Sequence, residues 1–396
     1  MAAESQYKVP LSSPDITAVE VEAVNVVLQS RWLSMGSETQ NFEDTIAAYA
    51  GVEHALTVNS GTAGLHLCVR AAGIGPGDLV ITTPFSFVAS SNVLLFERAI
   101  PVFVDVDPAS GNIDVAQVRQ AVDDLKTGGA AAAKWLPRKG AEAAGELKAI
   151  LPVDVFGQPA DLDPLLAMAE DHNLKIIEDA CEAIGAEYKG SKAGSQADYA
   201  VFAFYPNKQM TTGEGGMVVT NDAEAAAFMS ALRNQGRAPG DTWLAHTHLG
   251  YNYRLDEISA ALGHIQATRL DEMLAKRAQV AEWYEQRLGD LALVETPQIL
   301  DTTTRMSWFV YVVRVTPEID RDALIHKLAE RGIPARPYFA PIHLQPFMVE
   351  QFGYQEGDYP VTEDLGKRGL AIPFSSVMTE AQVEIVCQEL AAALED

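Results

Sequence analysis

Three short segments carry side chains whose types and order can do chemistry together. In LKIIEDACEAIGA, two adjacent carboxylates, Glu178 and Asp179, fall where an apolar run ends. In YAVFAFYPNKQMTTGEGGMVVT, Lys208 follows an apolar run and precedes Gly213, Gly215 and Gly216. In VNSGTAGLHLCVRAAG, the tripeptide Ser60-Gly61-Thr62 separates an apolar run from an amphipathic stretch. A tight turn into a helix aims free backbone N–H groups and the positive helix end at an anion, so this last segment can hold a phosphate without any lysine. A carboxylate facing a heterocyclic nitrogen keeps that nitrogen protonated, and an amine at a strand end can serve as a nucleophile for a carbonyl. Phosphate site, ring-nitrogen partner and carbonyl-seeking amine together match the needs of pyridoxal phosphate, whose protonated ring is an electron sink. Each segment also has a plainer reading. Ser60 or Thr62 can be a helix N-cap, the acidic pair can open the next helix, and Lys208 can be a solvated surface lysine. Their joint occurrence favours the chemistry.

The elements that must position these groups are legible as alternating apolar runs and helical patterns from about residue 50, which predicts an α/β layer on a largely parallel sheet. Candidate strands cover 55–58, 79–83, 101–106, 149–155, 174–180, 199–205 and 216–220. The three chemical segments fall at strand carboxyl ends, where open α/β sheets place their ligands. The stretch 123–148, rich in Ala and Gly, breaks the rhythm and reads as a loop or helical insertion. From Arg254 to about Leu288, apolar residues at helical spacing without proline predict one long helix leaving the first lobe. Beyond it, a strand at 308–315, a helix at 322–332 and a last helix at 379–394 make a small α+β lobe. The expected division is therefore 1–253, the cofactor-binding domain, and 254–396, the smaller C-terminal domain.

Composition sets outer limits. The 396 residues carry 54 acidic and 29 basic side chains, a net charge of -25 that repels nucleic acid and anionic membrane surfaces. Any phosphorylated ligand must then be held by local devices. Three widely spaced cysteines, Cys68, Cys181 and Cys387, fit neither a disulfide framework nor a metal cluster, and no histidines show metal-ligand spacing. With no secretory leader pattern and no long apolar window, the expected location is the cytoplasm.

The ordered motifs NSGTAGLHL, GPGDLVITTPFSFVASSN, PVFVDVD, PVDVFGQPADLDPL, IIEDACEAIGA, FAFYPNKQMTTGEGGMVVTND, GYNYRLDEISAALG and RPYFAPIHLQPF resemble the sugar-nucleotide aminotransferases of the DegT type over nearly the whole chain. The resemblance implies a fold-type I aminotransferase and a homodimer with its two active sites at the subunit interface. On it, Lys208 matches the lysine joined covalently to pyridoxal phosphate and Asp179 the partner of the pyridine nitrogen. The turn of Ser60, Gly61 and Thr62 matches the phosphate cradle, Phe87 the aromatic stacked on the ring, and Asn252 the residue reaching the neighbouring subunit's phosphate. Two positions depart from the pattern: Ala203 stands where a serine is frequent, and Glu182, near the ring hydroxyl, where Gln or His is common. Trp32, Arg237, Tyr338 and His343 fall in segments that line the sugar and nucleotide pocket, although His343 reads equally as a packed polar residue at a lobe junction. The implied reaction is a ping-pong transamination from glutamate to a 3- or 4-keto hexose carried by a nucleotide. Two rivals are a pyridoxamine-dependent sugar dehydratase of the same family, in which histidine replaces the lysine, and a non-catalytic regulator that keeps the fold. Lys208 speaks against the first, and the intact phosphate turn with Asp179 against the second.

Overall fold

The computed structural model describes residues 7–395 apart from residues 239 and 243. All seven expected runs become strands: β1 (His54–Val58), β2 (Leu79–Thr82), β3 (Ile100–Phe103), β4 (Leu147–Leu151), β5 (Lys175–Asp179), β8 (Tyr199–Ala203) and β9 (Gly216–Thr220). Between β5 and β8 runs a short hairpin, β6 (Glu187–Tyr188) and β7 (Ser191–Lys192). The seven long strands form one sheet in the order β1-β9-β8-β5-β4-β2-β3. β9 runs antiparallel to both of its neighbours, and every other pair is parallel. This is the mostly parallel seven-stranded sheet of an α/β, fold-type I architecture. Its strands are almost wholly buried because helices cover both faces, which is why they read as apolar runs and not as alternating ones. Alternation survives as a choice of layer. Val201 and Val218 pack with Leu65 and Met229 on one face, while Phe202 and Met217 pack with Phe42 and Ile46 on the other.

The C-terminal lobe holds an antiparallel sheet, β10 (Val294–Glu295), β12 (Tyr311–Val315), β14 (Gly369–Ile372) and β13 (Arg336–Pro337), packed on the helices Arg321–Glu330 and Glu380–Glu395. The remaining strand, β11 (Thr303–Arg305), pairs with β6 of the large-lobe hairpin. Two segments cross the proposed 253/254 division. Val9 is buried in the C-terminal core, where the Lys8 N–H donates to Gly332 O at 2.8 Å and the Phe374 N–H to Leu11 O at 2.9 Å. Helix Glu257–Thr268 packs on helices Ala18–Ser30 and Ser37–Ala50.

The single long helix expected over 254–288 is two, Glu257–Thr268 and Leu270–Leu288. At Arg269 the backbone leaves helical geometry (φ -104°, ψ 4°), and the guanidinium is drawn to Asp15, at 3.1 Å, and to Glu20. The break lets the first helix stay on the large lobe while the second enters the small-lobe core. In the interrupting stretch, a helix continues to Thr127 and a short one covers Gly129–Ala133. Beyond it, Arg138 and Lys139 meet the segment 352–358, with the Lys139 N–H on Phe352 O at 3.1 Å and Arg138 paired to Asp358, while the Gly145 N–H donates to Gly77 O at 2.8 Å before β4 begins at Leu147. Among the described residues no helix is long and apolar enough to cross a membrane.

Candidate active site

A cavity of about 650 Å³ opens at the carboxyl ends of β1, β5 and β8, within the usual range for a cofactor or small-molecule site. The large lobe contributes Ser60, Gly61, Thr62, Phe87, Asp179, Glu182 and Lys208; Phe309, Tyr338 and Phe339 close it from the other side.

At the end of β1, Ser60 is the N-cap of helix Gly61–Ala71, its hydroxyl accepting from the Ala63 N–H at 3.1 Å. The Gly64 N–H goes to Ser60 O, so the N–H groups of Gly61 and Thr62 are the ones a helix start offers outward. The N-cap and anion-site readings of Ser60 thus coexist. A Cβ on Gly61 would lie 2.8 Å from Ala203 Cβ and 2.9 Å from Cys181 Sγ, so only glycine brings this turn so close to the sheet. Ala203, the departure from the family pattern, packs on that turn.

Asp179 ends β5 and is buried. Its Oδ2 accepts from Ser90 Oγ at 2.6 Å and its Oδ1 from the Cys181 N–H at 3.2 Å. Behind it lie two more buried carboxyls. Asp154 Oδ1 accepts from the Ala160 N–H at 2.9 Å and Glu178 Oε1 from the Gly194 N–H at 2.8 Å, while Asp154 Oδ2 and Glu178 Oε2 are buried without a donor among the described residues, so the pair needs a proton between its carboxyls. Burial pushes both carboxyls up, and the neighbouring carboxylate pushes Asp154 further.

Lys208 Nζ lies 3.4 Å from Glu182 Oε1 and 3.7 Å from the centroid of the Phe309 ring. The other Glu182 oxygen accepts from the Phe156 N–H at 3.0 Å. Burial raises the Glu182 carboxyl above its ordinary range, with the Lys208 charge and the Phe156 bond pulling the other way. The main chain of Lys208 is held as well: its carbonyl accepts from Arg277 Nη2 at 2.6 Å, while Arg277 Nη1 reaches the carbonyls of Trp308 and Phe309, each at 3.1 Å. Arg277 is fully buried among carbonyls, and burial alone pushes its guanidinium down to about 10. The lobes also meet main chain to main chain, the Ser307 N–H on Gly157 O at 3.0 Å and the Phe309 N–H on Phe156 O at 3.1 Å. Gly157 has φ 99°, and a Cβ there would lie 2.8 Å from Trp308 N, so that junction requires glycine.

Eight of the twelve residues singled out from the sequence therefore share one cavity: Ser60, Gly61, Thr62, Phe87, Asp179, Glu182, Lys208 and Tyr338. Trp32, Arg237 and Asn252 do not line it within this chain. Trp32 is 65% exposed, Arg237 is half-buried, and Asn252 is exposed, its carbonyl accepting from Asn59 Nδ2 at 3.2 Å. The pocket reading of His343 is corrected. It is fully buried, its Nε2 is 3.0 Å from Glu363 Oε1, and its ring meets Tyr359 edge-on at 4.7 Å, the packed polar residue that was its alternative. Sequence reasoning missed Ser90, Arg277 and Phe309. Only Arg277 left a trace, a charge in helical register with the buried Met273, Val280 and Tyr284.

A glycine-floored turn with outward N–H groups, a buried carboxylate and an amine on one cavity fit pyridoxal phosphate: the turn for its phosphate, Asp179 for its ring nitrogen, Lys208 for its carbonyl carbon. Comparison with known proteins points the same way. GDP-perosamine synthase of Caulobacter vibrioides is 38% identical over 386 residues, covering 97% of each chain. DesV of S. venezuelae superposes with a TM-score of 0.85 at 31% identity, over 98% of this chain and 99% of that one. PseC of Helicobacter pylori, an aminotransferase of pseudoaminic acid biosynthesis, superposes with a TM-score of 0.87 at 27% identity, over 98% and 99%. Residues 14–391 match the model of the DegT/DnrJ/EryC1/StrS aminotransferase family, to which this chain belongs, as an aminotransferase with pyridoxal phosphate as its cofactor.

Proposed function

We propose that this protein transfers an amino group from glutamate to carbon 3 or 4 of a keto hexose carried by a nucleotide, giving an amino sugar for polysaccharide or secondary-metabolite synthesis. The observation that carries the reading is Lys208 in the same cavity as the phosphate turn and Asp179, since a dehydratase of this family would need histidine there. The sugar rests on likeness to a GDP-perosamine synthase along nearly the full chain. When bound, pyridoxal phosphate supplies an electron sink that stabilises negative charge at the substrate carbon losing or gaining a proton.

The chain's own residues do the rest. The Gly61 and Thr62 N–H groups hold the phosphate, Phe87 covers one ring face, and Asp179 keeps a proton on the ring nitrogen. Lys208 Nζ, once the donor amine has displaced it, takes the proton from the donor's α-carbon and later delivers one to the sugar carbon. Glu182, 3.4 Å from that nitrogen, holds it over the cavity between strokes.

The site is also proposed to be completed by a second copy of the chain. Phe87 and Tyr205 line the cavity yet are 61% and 52% exposed, and Val19, Val26, Trp32 and Leu33 are exposed besides. Exposed apolar side chains on the cavity's rim, with more elsewhere on the large lobe, support this reading. In a homodimer Asn252, Trp32 and Arg237 are proposed to act on the neighbour's cavity. Incubation with glutamate and a panel of UDP-, GDP- and dTDP-linked keto sugars tests the function. Amino sugar and 2-oxoglutarate should form in equal amounts with one nucleotide preferred. A dehydrated sugar without 2-oxoglutarate would sink the proposal.

A further inference from the structure

Asp179 is held by a hydroxyl that no motif singled out. Ser90, on helix Ala89–Phe96, is fully buried, and its Oγ lies 2.6 Å from Asp179 Oδ2, 2.9 Å from Ser86 Oγ and 3.2 Å from Phe87 O. A hydroxyl has one proton to give. The carboxylate is the nearest of the three acceptors and the only charged one, and 2.6 Å is the length of a charge-assisted O–H···O⁻ bond. The proton therefore goes to Asp179, and Ser86 donates in turn to Ser90 Oγ. Cys181, two residues along the chain, gives the carboxylate a longer bond of 3.2 Å from its N–H, and its thiol also meets Asp179.

We propose that Ser90 is a positioning residue for Asp179, its hydroxyl fixing the rotation of the carboxylate against the ring nitrogen of the cofactor. The inference rests on the reading of Asp179 as the ring-nitrogen partner. Because Ser86 and Ser90 flank Phe87, the same pair of bonds ties that carboxylate to the segment carrying the ring-covering aromatic. The neighbouring Ser91 supplies the comparison. It is equally buried in the same helix, but its Oγ donates only back to Val88 O at 3.1 Å, the ordinary place for a helix serine.

The test uses the purified holoenzyme in four variants, Ser90→Ala, Ser90→Thr, Ser91→Ala and Asp179→Asn. Four quantities are read: kcat, KM for the keto sugar, the pH dependence of the bound cofactor's absorbance, and the melting temperature of the apoprotein. Losing one charge-assisted hydrogen bond should lower kcat about tenfold in Ser90→Ala. KM should stay unchanged, the absorbance profile should move toward that of Asp179→Asn, and melting should fall no further than in Ser91→Ala. Ser90→Thr, which keeps the hydroxyl, should restore both kcat and profile. A Ser90→Ala enzyme matching Ser91→Ala in kcat and absorbance would overturn the proposal while leaving Asp179 intact. An Asp179→Asn enzyme with normal kcat and absorbance would instead overturn the Asp179 reading and this one with it. If Ser90→Ala does not fold, Ser86→Ala, which removes the bond that polarises the Ser90 hydroxyl toward Asp179, should show a smaller change of the same sign, and no change there overturns the proposal.

Discussion

Lys208 meets a carboxylate on one side and an aromatic face on the other, with its main chain pinned by a buried guanidinium. So many constraints leave the amine little freedom except toward the cavity. Lys208→Ala should lower turnover by roughly 10²–10⁴-fold or more, the range for loss of a positioned proton carrier, and borohydride treatment of the cofactor-loaded variant should no longer fix cofactor mass on the chain. A variant turning over at the normal rate would remove Lys208 from its role. The position was readable because the lysine follows its strand closely and glycines come next. Phe309 and Ser90 were not readable. Both act through contacts made only when distant strands and lobes meet, and their types, an aromatic in an apolar run and a helix serine, are what packing alone would place there.

At the ends of β4 and β5, two carboxyls share one buried space. In the native state Asp154 and Glu178 are raised above the ordinary values of 3.8 and 4.5 that unfolding restores. The native protein then binds more protons than the unfolded chain, so stability falls as pH rises from about 4 toward the raised values. Asp154→Asn has no such proton to lose. Its amide oxygen can keep the bond from the Ala160 N–H while its amide nitrogen donates to Glu178. Scanning calorimetry from pH 4 to pH 8 should show the variant melting a few degrees above the parent at neutral pH, with the gap closing toward pH 4; a constant gap would contradict the shared proton. The strands themselves were legible to within a few residues because burial on both faces makes them apolar runs. The break at Arg269 was not, since helical periodicity runs through it and its cause, Asp15 and Glu20, lies far away in sequence.

At the scale of the whole molecule, the proposed sharing of the site between two copies makes a countable prediction. Equal amounts of Lys208→Ala and Asn252→Ala chains, each inactive alone, should regain about a quarter of the parent rate after subunit exchange, because half the random dimers carry one intact site of two. No recovery, with mixed dimers confirmed by mass, would place Asn252 outside the neighbour's cavity. The net charge of -25 foretold none of this geometry, and the arrangement of the two lobes was legible only in outline, because residues 8–11 carry no signal that they belong to the far lobe. Their attachment there has a consequence for synthesis. A ribosome completes the large lobe first, whereas Val9 must wait for partners such as Val313, Leu370 and Leu390. A nascent chain that has not yet reached Phe309 holds Ser60, Asp179 and Lys208 beside a cavity that lacks a wall, its amine open to stray aldehydes. Secure capture of the cofactor is thus one of the last events in the making of this enzyme.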